Sequence, residues 1–421
     1  MLLVIISIVF FNIFTLNSQT KGSVFDGKTN HTLVGANIYM QKEAIGLGTT
    51  DKNGTFDLPG LDKFSANDTI IFSYIGYQQV KCTLRDLKHS GYRVFMYELP
   101  YRLGEVAVTA ERGILFLNYT PLSSLPKPLY SFGSFLSGGK IYVIAGDETN
   151  IKLVIGKTKM GTEAWKYHST DMYVYDIAND SWTKDKQKFT PRACHTAYLY
   201  NDKIFVLGGK IYSANRKIEY TDATMEVYDM DKDTLYVDPV NPHQAVNFTS
   251  FIYNDYLYVM GGSVKEKVFS DKIHALDLKK GIWYDMGTIP KEKCREMNGI
   301  VKGHSVYFFG GSRTAPMWGI ESYDLSVGEW KHLRDLHEGV SYPGLATNGN
   351  LIYIYENRNL QVYNVDDNSL RIYSIALNLE NAGLFYFEDK LYIVGGCIRN
   401  GIYVSPSDEV YSIDVNQIGI E

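Results

Sequence analysis

Short apolar runs that end in a glycine pair, or in the remnant of one, recur six times across the last three-quarters of this 421-residue chain. They are IYVIAG (141–146), IFVLGG (204–209), LYVMGG (257–262), VYFFGG (306–311), the worn copy LIYIYE (351–356) and LYIVGG (391–396). Each is followed by a second run resembling VYD: MYVYD (172–176), MEVYD (225–229), IHALD (273–277), IESYD (320–324), LQVYN (360–364) and VYSID (410–414). Six residues past each closing Asp or Asn stands a large apolar residue: Trp182, Leu235, Trp283, Trp330, Leu370 and Ile420. Runs rich in β-branched and aromatic residues predict strands. A unit of several strands repeating every ~40–60 residues predicts a β-propeller.

The first quarter has a different pattern. Residues 20–99 predict short strands at 36–40, 46–50, 55–58 and 70–74. Asp51-Lys52-Asn53-Gly54 joins the middle two and reads as a tight hairpin, because Asn-Gly tolerates positive φ. No stretch carries a helical period over about 11 residues, so a small all-β sandwich is expected, with 100–112 as a linker strand. Before it, MLLVIISIVFFNIFTLNSQ (1–19) lacks a charged side chain and is apolar from Leu2 to Leu16. That length suits the core of a signal peptide better than a membrane span of about 20 residues. Export is therefore expected, with an uncleaved anchor as the alternative. No later segment is apolar enough to span a bilayer, so the mature chain is expected to carry no transmembrane segment.

The order KGSVFD (21–26), LVGANIYM (33–40), GLGTTDKNGTFDL (46–58), IIFSYIGYQQV (70–80) and LGEVAVTA (103–110) resembles a carboxypeptidase regulatory-like domain, a transthyretin-like sandwich. The resemblance implies an exported protein of a Gram-negative, Bacteroidetes-type cell envelope, in the periplasm or at the outer-membrane surface. It implies a docking or spacing role rather than catalysis. Such domains often precede TonB-dependent transporters, but no barrel follows here, so transport is not implied. From about Gly113 the repeats resemble kelch motifs, whose blades have four strands, and ThrProArgAlaCysHis (190–195) matches the start of an inner strand. The expected fold is all-β, a small β-sandwich followed by a six-bladed kelch β-propeller over 113–421. Residues 113–122 are expected to supply the outer strand missing from the last blade, with Tyr119 standing where Trp182 stands in its own blade.

Composition narrows the function. Charged residues make up 21% and the net charge is −5, so no basic surface invites nucleic acid. Aromatics reach 14%, including 33 tyrosines, as suits rings packed between sheets. The four cysteines (Cys82, Cys194, Cys294, Cys397) show no metal-ligand spacing and read as buried free thiols. No metal or other cofactor is expected.

Candidate chemistry belongs on the face where the loops joining strands d to a and b to c gather. Two b–c connections are long, 147–171 and 210–224. The first carries Lys152, Trp165, Lys166, Tyr167 and His168, and reads equally as a recognition loop or a packed decoration. Arg192 and Arg295 are placed at the channel mouth, where a guanidinium fork suits a carboxylate, or alternatively inside blades against carbonyls and acids. His195 lies deeper and reads as a packed histidine or a ligand contact. Arg313, Trp318 and Arg399 follow glycine pairs and rim the same face, with Trp165 completing the candidate ligand-binding set. Among Asp147, Glu148, Glu356 and Glu380 no catalytic carboxylate pair is recognisable, and the VYD aspartates read as turn caps. No catalytic residue is assigned. The expected function is an exported binding or scaffold protein that presents a propeller face to a glycan or protein partner. The alternative is a periplasmic sugar mutarotase or epimerase resembling sialic-acid mutarotases, in which arginines hold the sugar carboxylate and Glu380 or His195 moves a proton.

Overall fold

A computed structural model describes residues 21–41, 46–58, 60–74, 77–97, 115–155, 160–312 and 316–419. The chain divides into two compact units, Met1–Thr109 and Ala110–Glu421. The expected signal segment 1–19 and linker strand 100–112 lie outside the described residues.

The first unit is a sandwich of a three-stranded sheet (Thr55–Asp57, Lys21–Asp26, Arg93–Met96) and a four-stranded sheet (Gly46–Thr49, Asn37–Met40, Thr69–Ser73, Val80–Thr83). Val24, Ile38, Met40, Phe56, Phe72 and Val94 fill the space between them. The expected hairpin at 51–54 is corrected, because its two flanking strands belong to different sheets. Asp51 draws in the N–H groups of Asn53 and Thr55 (both 2.9 Å), and only Gly54 takes a positive φ. The turn therefore carries the chain across the sandwich instead of folding it back. A six-residue helix, Leu84–His89, also forms between strands. Thr83 and Asp86 build a reciprocal cap at its start, a signal too short for a periodicity reading.

The second unit is a ring of six antiparallel sheets. Their inner strands are Gly133–Ser137, Thr196–Tyr200, Thr249–Tyr253, Glu296–Lys302, Gly344–Asn348 and Gly383–Phe387. In each blade the glycine-pair run forms strand b and the VYD run strand c. Asp176, Asp229, Asp277, Asp324, Asn364 and Asp414 each accept, through Oδ1, an N–H two or three residues further on (2.8–3.1 Å). The first five cap the c–d turns, and Asp414 caps the short 3-10 turn Val415–Gln417 that follows strand c of blade six. The next apolar residue then stands beside the aromatic or leucine of strand c, as in the pairs Tyr175–Trp182, Tyr228–Leu235, Leu276–Trp283, Tyr323–Trp330 and Tyr363–Leu370. Ile420 lies outside the described residues.

The glycine pairs answer two different neighbours. At Gly208 (φ 73°) an added Cβ would lie 2.4 Å from the Phe248 ring, which enters from the following blade. At Gly209 (φ 81°) it would meet the carbonyl of Ala193, also at 2.4 Å, at the entrance to the blade's own inner strand. The worn copy LIYIYE lacks the pair for a local reason. Asn357 and Arg358 (φ 44° and 60°) make a two-residue turn straight into strand c, so no long loop leaves this blade.

The ends of the propeller meet, but more sparingly than the segment 113–122 was expected to provide. Thr120–Pro121 pairs antiparallel with Val410–Asp414 as the outer strand of blade six. Leu115–Phe116 runs instead parallel to Leu370–Ser374 on blade five. Tyr119 packs edge-on to Tyr411 (5.0 Å) within the core cluster that includes Ile413. Asn118 exchanges two hydrogen bonds with the Gln417 side chain (2.9 and 3.0 Å). Ser123 then ties to Asp180 and to the Trp182 indole on blade one. A stretch of about ten residues thus latches blades five, six and one together, leaving fewer unpaired edges.

Candidate functional site

The six inner strands enclose an axial channel of about 500 Å³ lined by residues of every blade. One end is organised by backbone. Cys194 N donates to Ser131 O (2.8 Å), Asn247 N to Cys194 O (3.4 Å) and Ser131 N to Asn381 O (3.2 Å). These four residues hold positive φ, at the entrances to the inner strands of blades one, two, three and six. The Tyr342 hydroxyl reaches from blade five to the Phe248 carbonyl of blade three (3.0 Å).

Arg192 and Arg295 do not open onto this channel. Arg192 is 0% exposed, and its Nη2 lies 2.8 Å from both Asp222 and Glu226. The same Glu226 accepts the Thr190 N–H (2.9 Å), so arginine and glutamate together pin the d–a connection to strand c. Blade four repeats the device: Glu321 draws in Lys293 (2.6 Å) and Arg295 (3.7 Å), and Arg295 Nε donates to the Gly310 carbonyl. In blade five the equivalent Gln361 accepts the His337 N–H (2.8 Å). The mouth position expected for these two arginines is corrected to a brace inside the blade, and of the two expected settings the buried pairing is the one found. The signal was present in the sequence. MEVYD, IESYD and LQVYN each carry a hydrogen-bonding residue at a position where an ordinary strand would bury an apolar one.

His195 does border the channel, with its Nε2 accepting the Gly133 N–H (3.0 Å). Burial and the charge of Arg192 hold its pKa well below the usual range, so the ring is neutral. Arg399 lies beside Glu380 (3.4 Å) and is largely engaged by it. Trp318 is 49% exposed and packs over Gly339 where the c–d hairpin of blade four extends past the ring. Arg313 lies outside the described residues. Trp165 is 58% exposed on blade one, across the ring from Trp318. The expected set is therefore scattered: one histidine in the channel, two braced arginines, and two tryptophans on opposing blades.

Around the mouth, acids replace the expected arginines. Glu356 accepts the N–H groups of Ser341 (2.7 Å) and Tyr342 (3.0 Å). Burial still raises its carboxyl to about 7, and the nearby Glu380 charge adds to the shift. Glu380 is itself raised by burial, against the opposing effect of Arg399. Burial also raises Glu296, whose Oε2 accepts from Asn247 Nδ2 (3.0 Å). Lys210 is raised although burial acts to lower it, because Cys194, Asp147 and Glu219 surround it. The coupling of Glu356 to Glu380 joins separate blades, and nothing in the local sequence signals it.

Among the described residues, the long loop of blade one forms a hairpin, Asn150–Ile155 paired with Met160–Trp165. It meets a second hairpin from blade six, Cys397–Asn400 with Tyr403–Pro406, through the Ile151–Val404 pair, making a four-stranded sheet over the blade-six to blade-one seam. The four cysteines form no disulfide, and burial raises the thiols of Cys82 and Cys194 to about 11 and that of Cys397 to about 12. No group of metal-ligating side chains occurs among the described residues. No helix among them is long and apolar enough to cross a membrane.

Comparison with known proteins agrees with this architecture. A family model, the KLHDC2/KLHL20/DRC7 Kelch-repeats domain, matches residues 136–355, and a CarboxypepD_reg-like domain model matches residues 20–108. The chain belongs to the kelch-repeat family, with a carboxypeptidase regulatory-like domain ahead of the propeller. Among curated relatives, Kelch-like protein 25 of Xenopus tropicalis is 22% identical over 245 residues, covering 56% of this chain and 38% of that protein. Protein ral2 of Schizosaccharomyces pombe is 29% identical over 124 residues, or 28% of this chain and 18% of its own length. Ras guanine nucleotide exchange factor F of Dictyostelium discoideum is 24% identical over 152 residues, 34% of this chain and 13% of that protein. The chain thus spans well under half the length of each of these relatives. The solved structure of YjhT superposes with a TM-score of 0.55 at 12% identity, over 68% of this chain and 95% of that one, which shows the fold alone.

Proposed function

We propose that this protein is an exported cell-envelope scaffold whose propeller presents its loop face to a glycan or protein partner. The kelch propeller itself is a protein-interaction architecture. Export is supported by the uncharged apolar segment at 1–19, and the envelope setting by the type of domain at 20–108. The observation that carries the binding role is the fate of the two arginines. Arg192 and Arg295 are consumed by Glu226, Asp222 and Glu321 inside the blades. What the face projects is a sheet of loop hairpins with exposed Trp165 and Ile402.

A photo-crosslinking residue in place of Ile402, at the tip of the blade-six hairpin (67% exposed), tests the reading in cells. The control position is Val327, 65% exposed in a c–d turn at the other face. Adducts from position 402 alone, in the envelope fraction, are the expected result. Adducts from position 327 alone, or a chain retained in the cytoplasm, would overturn it.

A second reading, sugar-ring interconversion resembling that of the mutarotases, has one observation in its favour. Glu356 sits at about 7 beside Glu380 at the channel mouth, a pKa suited to proton transfer at neutral pH. Exchange broadening between anomers of an acidic sugar, abolished by Glu356→Gln, is the outcome that would establish it.

A further inference from the structure

The groove beside the blade-one hairpin has the build of a saccharide site. Asn150 and Trp165 stand opposite each other in the hairpin, and Lys152 opposite Glu163, which puts these four side chains on one face. Ile151, on the other face, packs on Tyr130, Cys397 and Val404, so the sheet is anchored from behind. The open face borders a cavity of about 370 Å³, closed at its sides by the 127–128 segment, Glu148 and Pro406. That volume falls at the lower end of the range of small-molecule clefts, roughly 300–1,000 Å³.

Trp165 is exposed but held in place. Its ring lies on Tyr167 (4.3 Å), and the Arg216 guanidinium, from the loop of blade two, covers Tyr167 in turn (3.7 Å). A stack of indole, phenol and guanidinium fixes the Trp165 plane before any ligand arrives, which limits the entropy lost on binding. The polar groups around it balance in charge. Lys127 pairs with Glu148 (2.6 Å), and Lys152 faces Glu163 across the hairpin. Asn150 Oδ1 is buried with no hydrogen-bond partner among the described residues.

We propose that this groove binds a neutral oligosaccharide, with one pyranose ring stacked on Trp165 and its hydroxyls taken up by the flanking lysines, carboxylates and Asn150. An acidic sugar fits poorly, because two carboxylates border the groove and both lysines already have acidic neighbours. The proposal rests on the reading of the loop face as a recognition surface, and it names the ligand class and the place.

The test is titration of the full chain with cellobiose, maltose, chitobiose and xylobiose, with sialic acid as the acidic control, followed by calorimetry and tryptophan fluorescence. At least one neutral disaccharide should bind with a Kd on the order of 0.1–1 mM, and Trp165→Ala should weaken it at least roughly tenfold. Trp318→Ala should leave it unchanged. Glu163→Gln, which keeps the hairpin's size and polarity, should weaken binding several-fold without altering the circular dichroism spectrum, a control for folding. Undiminished binding in Trp165→Ala, or no neutral sugar bound at roughly 10 mM, overturns the groove as a saccharide site. If crosslinks at position 402 nevertheless appear, the recognition face stands and only its ligand class falls.

Discussion

Replacing Arg192 by alanine separates a brace from a ligand contact. Its guanidinium is fully buried, between Asp222 and Glu226 at 2.8 Å each. Removing it strands two acids in the blade interior, and breaking a buried pair in this way costs about 3–5 kcal/mol. Unfolding a unit of about 310 residues carries an entropy of about 0.65 kcal/mol/K, so the propeller transition should fall by roughly 5–8 °C. Calorimetry of the full chain measures this, read as a shift of the propeller transition because the sandwich can melt separately. Glu226→Gln costs stability on its own. In the Arg192→Ala background it should cost less, or even restore some stability, because it removes a stranded charge. A melting temperature within about 1 °C of wild type, together with lost sugar binding, would refute the brace and return Arg192 to the site.

Three further outcomes follow from the fold. Glu356 holds its proton to about pH 7 in the folded chain, against about 4.5 when unfolded. Between these values the folded state binds more protons, so stability should decline as pH rises, by on the order of 3 kcal/mol, and Glu356→Gln should flatten that slope in pH-dependent melting curves. Gly208→Ala drives a Cβ into the Phe248 ring at a positive φ, and should cost about 2–4 kcal/mol in denaturant unfolding. Leu117, buried in the blade-five and blade-six core, belongs to the latch. Leu117→Ala should lower stability by about 2–5 kcal/mol, while Gln417→Ala, which loses only exposed hydrogen bonds to Asn118 and Asp414, should cost about 1 kcal/mol or less.

Much of the architecture was legible because it repeats. Five glycine-terminated runs answer the close approach of a neighbouring blade or of the entrance to the blade's own inner strand, six VYD-type runs each carry a turn cap, and the worn copy at 351–356 still keeps the strand. The hairpin expected at 51–54 failed because turn chemistry fixes where the chain bends, not which strand it bends toward. The site was legible only in part. Trp165 is legible as an aromatic in a long loop with Tyr167 two residues on, yet the Arg216 that covers Tyr167 comes from blade two, and that contact has no local signature. For Arg192 the residue type suits both a mouth contact and a buried brace, and the local sequence does not decide between them because its partner Glu226 lies 34 residues further on. A charged residue in a strand otherwise built to be buried is the clue that an arginine elsewhere is spoken for.

A thermal-shift comparison of wild type, Trp165→Ala and Arg295→Ala against neutral disaccharides and sialic acid tests the central claim most directly, since a ligand bound only by the native state raises its melting temperature. The loop-face account predicts a shift with a neutral sugar that disappears in Trp165→Ala and persists in Arg295→Ala once its lower baseline is subtracted. A shift with sialic acid, lost in Arg295→Ala and kept in Trp165→Ala, would contradict it and move the site into the channel.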